Sequence, residues 1–301
     1  MVLPKYIPRF CSPSFVTTLK SSRHLYVIAT RRGTSLIESY SSVKSILYHY
    51  LTNFLNCPVP VKIYDTDSGM KKGLGIVYQV IIGFLLADII TGSFHWFEDT
   101  YLDYCVDLPF IGDIAKDNEL HHYFPRSMLA YSYYDNVTVS LPAIIIMLVI
   151  IYLVDKSLFV KYPYLIATFS LVACVANIIH KFSHMRDCEK SWGLNLLQKS
   201  GILASGEHHK LHHKLSTEKY CVITEFNNFY LDRLYFWRGL ESIIYALTGI
   251  KPNRKMGYDE YREIHNYMHE NAKLECPDKP TMRDVEILIE KLREYKACAV
   301  K

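Results

Sequence analysis

Thirteen of the 301 residues are histidine, and nine of those fall between positions 95 and 213. The densest run is His208-His209-Lys210-Leu211-His212-His213. On a helix, His209 shares a face with His212 and His213, because residues three and four apart are neighbours. His180 and His184 repeat the four-residue spacing. His121 and His122 are adjacent and diverge by roughly 100° on a regular helix. They serve two different metals, or one is a ligand and the other a hydrogen-bond partner. Neutral imidazole is the commonest metal ligand and suits iron, zinc, copper and nickel. Eight imidazoles (His95, His121, His122, His180, His184, His209, His212 and His213) are more than one four-coordinate zinc site needs. They suit two metals with positions left open for dioxygen or substrate. His208 stays outside this set. His49, His265 and His269 read as solvated or packed.

Asp88, Gly92, His95 and Asp99 recur at four, three and four residues, so they share one helix face. An acid inside an apolar span is costly and usually functional. Asp88 and Asp99 are therefore candidate acceptors from ring N–H groups, offsetting the charge of a metal cluster. The plainer alternative for Asp88 is a cap or a pairing with a neighbouring helix. Gly92 would let another helix or a ligand approach closely.

The elements that must position these groups are apolar blocks. Leu74 to Phe94, Val137 to Val154 and Pro163 to Ile179 are each long enough to be read as membrane spans. Residues 36–56 read as an amphipathic helix or a weak first span, and 100–136 as polar and irregular. An aromatic amphipathic run extends from Phe226 to Leu247. Thr281 to Tyr295 reads as a surface helix capped by Thr281 and Asp284, with a stripe of Val285, Leu288, Leu292 and Tyr295. The chain order adds a parity argument. His95 follows the first long span, and His121 and His122 stay on that side. The next two spans form a hairpin that returns the chain there before His180, His184 and the 208–213 run. All the clustered histidines then share one membrane face. The expected fold is all-α, a multi-span helical membrane protein with a polyhistidine di-metal site at one membrane face.

Half of the residues are hydrophobic and the net charge is +4, which gives no argument for nucleic acid. The eight cysteines are scattered without a CxxC pair, so neither a disulfide framework nor a zinc ribbon is indicated. Residues 1–37 hold no Asp or Glu, six Lys/Arg and nine Ser/Thr. Residues 1–35 accordingly read as a basic leader, either transit-like or a disordered tail. Residues 36–255 read as the membrane domain, and 256–301 as a polar tail with an amphipathic helix. Most of the Lys and Arg of 181–301 lies on the histidine side, which makes that side cytosolic or stromal by the positive-inside tendency.

Together the motifs D-x3-G-x2-HW-x2-D at 88–99, HH-x2-P at 121–125, H-x3-H at 180–184 and HH-x2-HH at 208–213 resemble the Kua family of lipid desaturases. Phe236-Trp237-Arg238-x-Leu240-Glu241 and Leu247-Thr248-Gly249-x-Lys251-Pro252 complete the pattern, and the resemblance covers about residues 74–255. It implies a non-haem di-iron centre held by the eight histidines above, with Asn228 on a family asparagine. It also implies dioxygen as oxidant and an outside electron donor, cytochrome b5 or, in a plastid, ferredoxin. The implied substrate is a glycerophospholipid in the bilayer, desaturated near its head group. Plasmanylethanolamine would become plasmenylethanolamine in plasmalogen synthesis. The alternative is a trans-3 bond in an acyl chain of phosphatidylglycerol. The implied location is the endoplasmic reticulum with the histidine face cytosolic, or else a plastid membrane. The competing class is a histidine-rich metal transporter or a haem-binding membrane protein.

Overall fold

The computed structural model describes residues 67–299, apart from Asp107, Ser216, 254–257 and Glu275. Among the described residues there are twelve α-helices and no strand. The leader and the 36–56 segment lie outside them.

Helix α1 (Asp67–Tyr101) carries the first apolar stretch and runs on through His95 and Asp99. Leu74–Phe94 alone is about 30 Å long, close to the thickness of a bilayer's hydrocarbon layer. His95 follows directly on that apolar stretch. Next comes α2 (Ile111–Tyr123), which carries His121 and His122 near its end. This corrects the expectation of irregular chain over 100–136. The inward positions of α2 are Gly112, Ala115, Leu120, His121 and Tyr123. Leu120 and Tyr123 are the only large apolar members of that face, too few to mark it as a helix in the sequence.

Helix α3 (Tyr133–Asp155) begins at a capping box between Ser132 and Asp135 and crosses back. The short α4 (Ser157–Lys161) leads into α5 (Pro163–Cys174) and α6 (Ala176–Ser183). The stretch expected as a third span is bent by 46° between α5 and α6, the geometry of a broken span or a re-entrant loop. At the break Val175 adopts φ −99° and ψ 6°, and its N–H is shared between the carbonyls of Leu171 and Val172. That tightening ends one helix and redirects the next. Side chains of α3 such as Leu153 and Val154 are 76% and 79% exposed, which for an apolar helix calls for lipid. Gly83 brings the backbones of α1 and α5 together, since a Cβ there would meet the Leu165 carbonyl oxygen at 2.6 Å. Around this crossing Ala87, Ile144, Phe169, Ala173, Ile179 and Ile223 form a buried core.

On the histidine side lie α7 (Trp192–Lys199), α8 (Gly206–Leu215), α9 (Phe226–Arg233) and α10 (Phe236–Thr248). The run expected as one amphipathic stretch from Phe226 is split where Tyr235 takes a left-handed conformation, φ 53°. Helices α11 (Tyr258–Ala272) and α12 (Met282–Ala299) close the chain. Thr281 and Asp284 cap α12 as expected, the Asp284 N–H donating to Thr281 Oγ1 at 3.3 Å. Val285, Leu288 and Leu292 are fully buried against Ile264, Met268 and the α2 residues Leu120 and Tyr123. The polar tail thereby buttresses the helix that presents His121 and His122.

Candidate metal centre

The eight histidines singled out above converge from α1, α2, α8 and the end of α6. They sort into two groups. His121, His180, His184, His209 and His213 form one, and His95, Asp99, His122 and His212 the other. Within each group the donor atoms lie within 4.8 Å of one another. His121 and His122 diverge, as adjacent helical residues must, and so join different groups.

In the first group His209 Nε2 lies 2.8 Å from His180 Nε2, 3.1 Å from His184 Nε2 and 2.9 Å from His213 Nε2. His180 and His184 are 3.2 Å apart by the same atoms. One imidazole nitrogen offers a single proton or a single lone pair, so protons alone cannot satisfy three such neighbours. A shared cation can. With metal–nitrogen bonds of about 2.1 Å, neighbouring ligands at right angles stand about 3 Å apart. Burial, and then the neighbouring rings, hold His121, His209 and His213 well below the ordinary histidine range. They stay neutral, the state that binds metal.

The second group is oriented from outside. His95 Nδ1 donates to the Tyr220 carbonyl at 3.0 Å, and His212 Nδ1 to the Glu218 carbonyl at 2.7 Å. Both rings therefore turn Nε2 inward. There they meet the carboxylate of Asp99, which is 3.0 Å from His122 Nε2, 3.2 Å from His212 Nε2 and 3.8 Å from His95 Nε2. Asp99, expected to accept from outer ring N–H groups, instead sits among the inward nitrogens as a donor itself. Asn118 fixes it, donating to Oδ1 at 2.8 Å. Two buried nitrogens, His95 Nε2 and His121 Nε2, have no hydrogen-bond partner. The donor set, its burial and these orphaned atoms fit metal binding.

Asp88 is corrected. It touches no ring and is fully buried. It accepts from Ile223 N at 2.9 Å, Thr224 N at 3.2 Å, Thr224 Oγ1 at 2.7 Å and Asn227 Nδ2 at 2.9 Å. Asn228 grips the same segment, bonding both the N–H and the carbonyl of Cys221. Asp232 accepts from the Lys219 N–H, where Lys219 takes a left-handed φ of 62°. Three side chains thus hold residues 218–224, whose carbonyls aim His95 and His212. Gly92 admits this segment to α1. A Cβ there would meet Cys221 Sγ at 2.7 Å and Cys221 Cα at 3.0 Å. Gly92→Ala should therefore cost about 1–3 kcal/mol through overpacking. A thermal unfolding scan in detergent, with the metal content of the same sample, would check this.

His208 lies outside both groups, with Nε2 accepting from Asn228 at 2.9 Å and Nδ1 3.6 Å from Glu225. His208→Ala should keep most of its activity and its metal, as metal analysis and product formation would report. Asn228, the family asparagine, acts on the Cys221 backbone and on His208.

A cavity of about 350 Å³ reaches both groups, touching His95, His121 and His180. Phe94, Ile144, Met147 and Phe169 supply part of its apolar wall. Such a slot suits a hydrocarbon chain.

The family model for the lipid desaturase domain matches residues 84–255, more than half of the chain and every residue of both donor groups. The chain belongs to that family. This desaturase is 32% identical over 182 residues to a probable fatty acid desaturase of Acanthamoeba polyphaga mimivirus, covering 59% of this chain and 86% of that one. It is 31% identical to plasmanylethanolamine desaturase 1 of Mus musculus, over 59% of this chain and 68% of the relative. It is 24% identical to fatty acid desaturase 4-like 1, chloroplastic, of Arabidopsis thaliana, over 57% of each. No solved structure matches it.

The groups that sequence reasoning missed are Asn118, Asp232 and the carbonyls of Glu218 and Tyr220. Asn118 stands three residues before His121, a spacing that could have flagged it. Backbone carbonyls leave no signal in residue type.

Proposed function

We propose that this desaturase holds two iron ions, one in each donor group, and uses dioxygen to place a double bond beside the head group of an ether glycerophospholipid. The reaction would convert plasmanylethanolamine to plasmenylethanolamine. The observation that carries the reading is the partition of nine side chains into two donor groups at the end of an apolar cavity. His121, His180, His184, His209 and His213 would hold one ion; His95, Asp99, His122 and His212 would hold the other. Bound there, iron supplies the activation of dioxygen and the stepwise electron chemistry. Overall, two hydrogens leave adjacent carbons, two electrons and two protons come from outside, and dioxygen ends as two waters.

The residues supply position and exclusion. The Tyr220 and Glu218 carbonyls keep two rings from rotating. Asp99 brings negative charge to an otherwise neutral imidazole set, offsetting part of the cationic charge. Phe94, Ile144, Met147 and Phe169 seat the alkyl chain and keep water from the reacting carbons. The outside reductant would be cytochrome b5 at the cytosolic face of the endoplasmic reticulum. Relatives from Mus musculus and Myxococcus xanthus, both named as plasmanylethanolamine desaturases, support the substrate.

A second reading is trans-3 desaturation of phosphatidylglycerol in a plastid membrane, with ferredoxin as donor. The chloroplastic Arabidopsis thaliana relatives and the acid-poor residues 1–37 favour it. Lipidomics of cells lacking the protein, rescued by wild type or by His212→Ala, separates the two. Loss of vinyl-ether lipids, restored by wild type alone, is the expected result. Loss of a trans-3 acyl chain selects the second reading, and no change in either lipid class contradicts both.

A further inference from the structure

The charged side chains that line the cavity, its histidines aside, are all of one sign. Glu98, Asp117 and Asp135 line it, and no lysine or arginine does. Asp117 stands one turn before His121 on α2, about 6 Å along the axis. Among the described residues it makes no ion pair. The Tyr131 hydroxyl is its hydrogen-bond partner, and burial pushes its carboxyl up to about 6 against that bond. Asp135 faces the same tyrosine. Its Oδ2 is already used by the Ser132 N–H at 2.8 Å, so Asp117 is the freer receptor. The same cavity ends on His95 and His121, which are 6% and 3% exposed and whose Nε2 atoms lack a hydrogen-bond partner. The acids therefore belong to a ligand cavity that leads to the metal groups, not to a solvated surface patch.

Resting on the lipid reading above, we propose that Asp117, with Asp135 across Tyr131, selects the substrate head group: it receives the ammonium of a zwitterionic phospholipid and disfavours an anionic one. A partly buried carboxylate gains by meeting a cation. No lysine or arginine lines the cavity, and Lys181, near Asp135, is bonded to the Leu129 and Tyr131 carbonyls, so the phosphate of any lipid stays toward water. A phosphatidylglycerol then brings net negative charge against Asp117 and Asp135. An ethanolamine or choline lipid brings a compensating positive group within their reach.

Competitive binding to the full-length protein in detergent, read by native mass spectrometry, tests the proposal. Phosphatidylethanolamine, phosphatidylcholine and phosphatidylglycerol with identical chains are supplied in equal amounts. Wild type should retain the two ammonium lipids over phosphatidylglycerol by about tenfold, or ~1.4 kcal/mol. Asp117→Asn keeps the side-chain shape and should bring the ratio to within about twofold, while Asp117→Lys should invert it. Ethanolamine held above choline assigns the recognition to N–H donors; equal retention assigns it to charge alone. Wild type that holds phosphatidylglycerol equally well, or Asp117→Asn with an unchanged ratio, overturns the proposal. Binding is read without turnover. A protein that selects ammonium lipids and desaturates none of them contradicts the proposed function and leaves the selector standing.

Discussion

Replacing His209 with alanine is expected to remove the metal of the five-histidine group and with it essentially all desaturation. The Nε2 of His209 is the point on which the others close, at 2.8 Å from His180, 2.9 Å from His213 and 3.1 Å from His184. The ring is 2% exposed, and its loss leaves the other donors without the ligand they share. Removing a partner that only orients a metal ligand typically costs 10–100-fold, and loss of a central donor should exceed about 100-fold. Product formation by mass spectrometry and the iron content of the same preparation would measure both effects. His208→Ala, one residue away, controls for disturbance of α8. A His209→Ala protein that keeps its iron and half its activity would refute the placement of this group.

Asp88→Ala is expected to produce the second large loss, by a different route. Four buried donors, from Ile223, Thr224 and Asn227, would be left facing a void. Each unsatisfied donor costs about 1–3 kcal/mol, so the total is about 3 kcal/mol or more even after local relaxation. The damage reaches the metal groups through residues 218–224, because that segment's Tyr220 carbonyl aims His95. Asp88→Asn preserves shape but points an NH2 at other donors, so it should fall between wild type and alanine. Thermal unfolding in detergent separates this from loss of a ligand. Asp88→Ala should lose iron in step with its folded fraction, whereas His209→Ala should lose iron while remaining folded.

The histidines were legible because imidazoles at three- and four-residue spacings are rare by chance and point one way on a helix. The parity of the spans also carried real information. Reading His95, His121, His180 and His209 onto one side needed only chain order, and the structure brings all four together. Asp99 was legible as important but not as a metal-side donor, since a carboxylate beside a histidine serves equally well on either face of the ring. Asp88 carried the same signal, a costly acid in an apolar helix, and turned out to serve the backbone of a distant segment. That outcome depends on Gly92 admitting Cys221 to α1, a tertiary contact that no spacing announces. Helix α2 was hidden by its own composition, with Leu120 and Tyr123 the only large apolar residues at its inward positions. The bend at Val175 and the break at Tyr235 were hidden too. Neither carries a Gly or Pro to announce it.

The metal content of the purified full-length protein tests the central claim most directly. Expected are about two non-haem irons per chain, no Soret band, and loss of one iron in His209→Ala with the other retained by His95, Asp99, His122 and His212. One haem per chain, or zinc in place of iron, would contradict it.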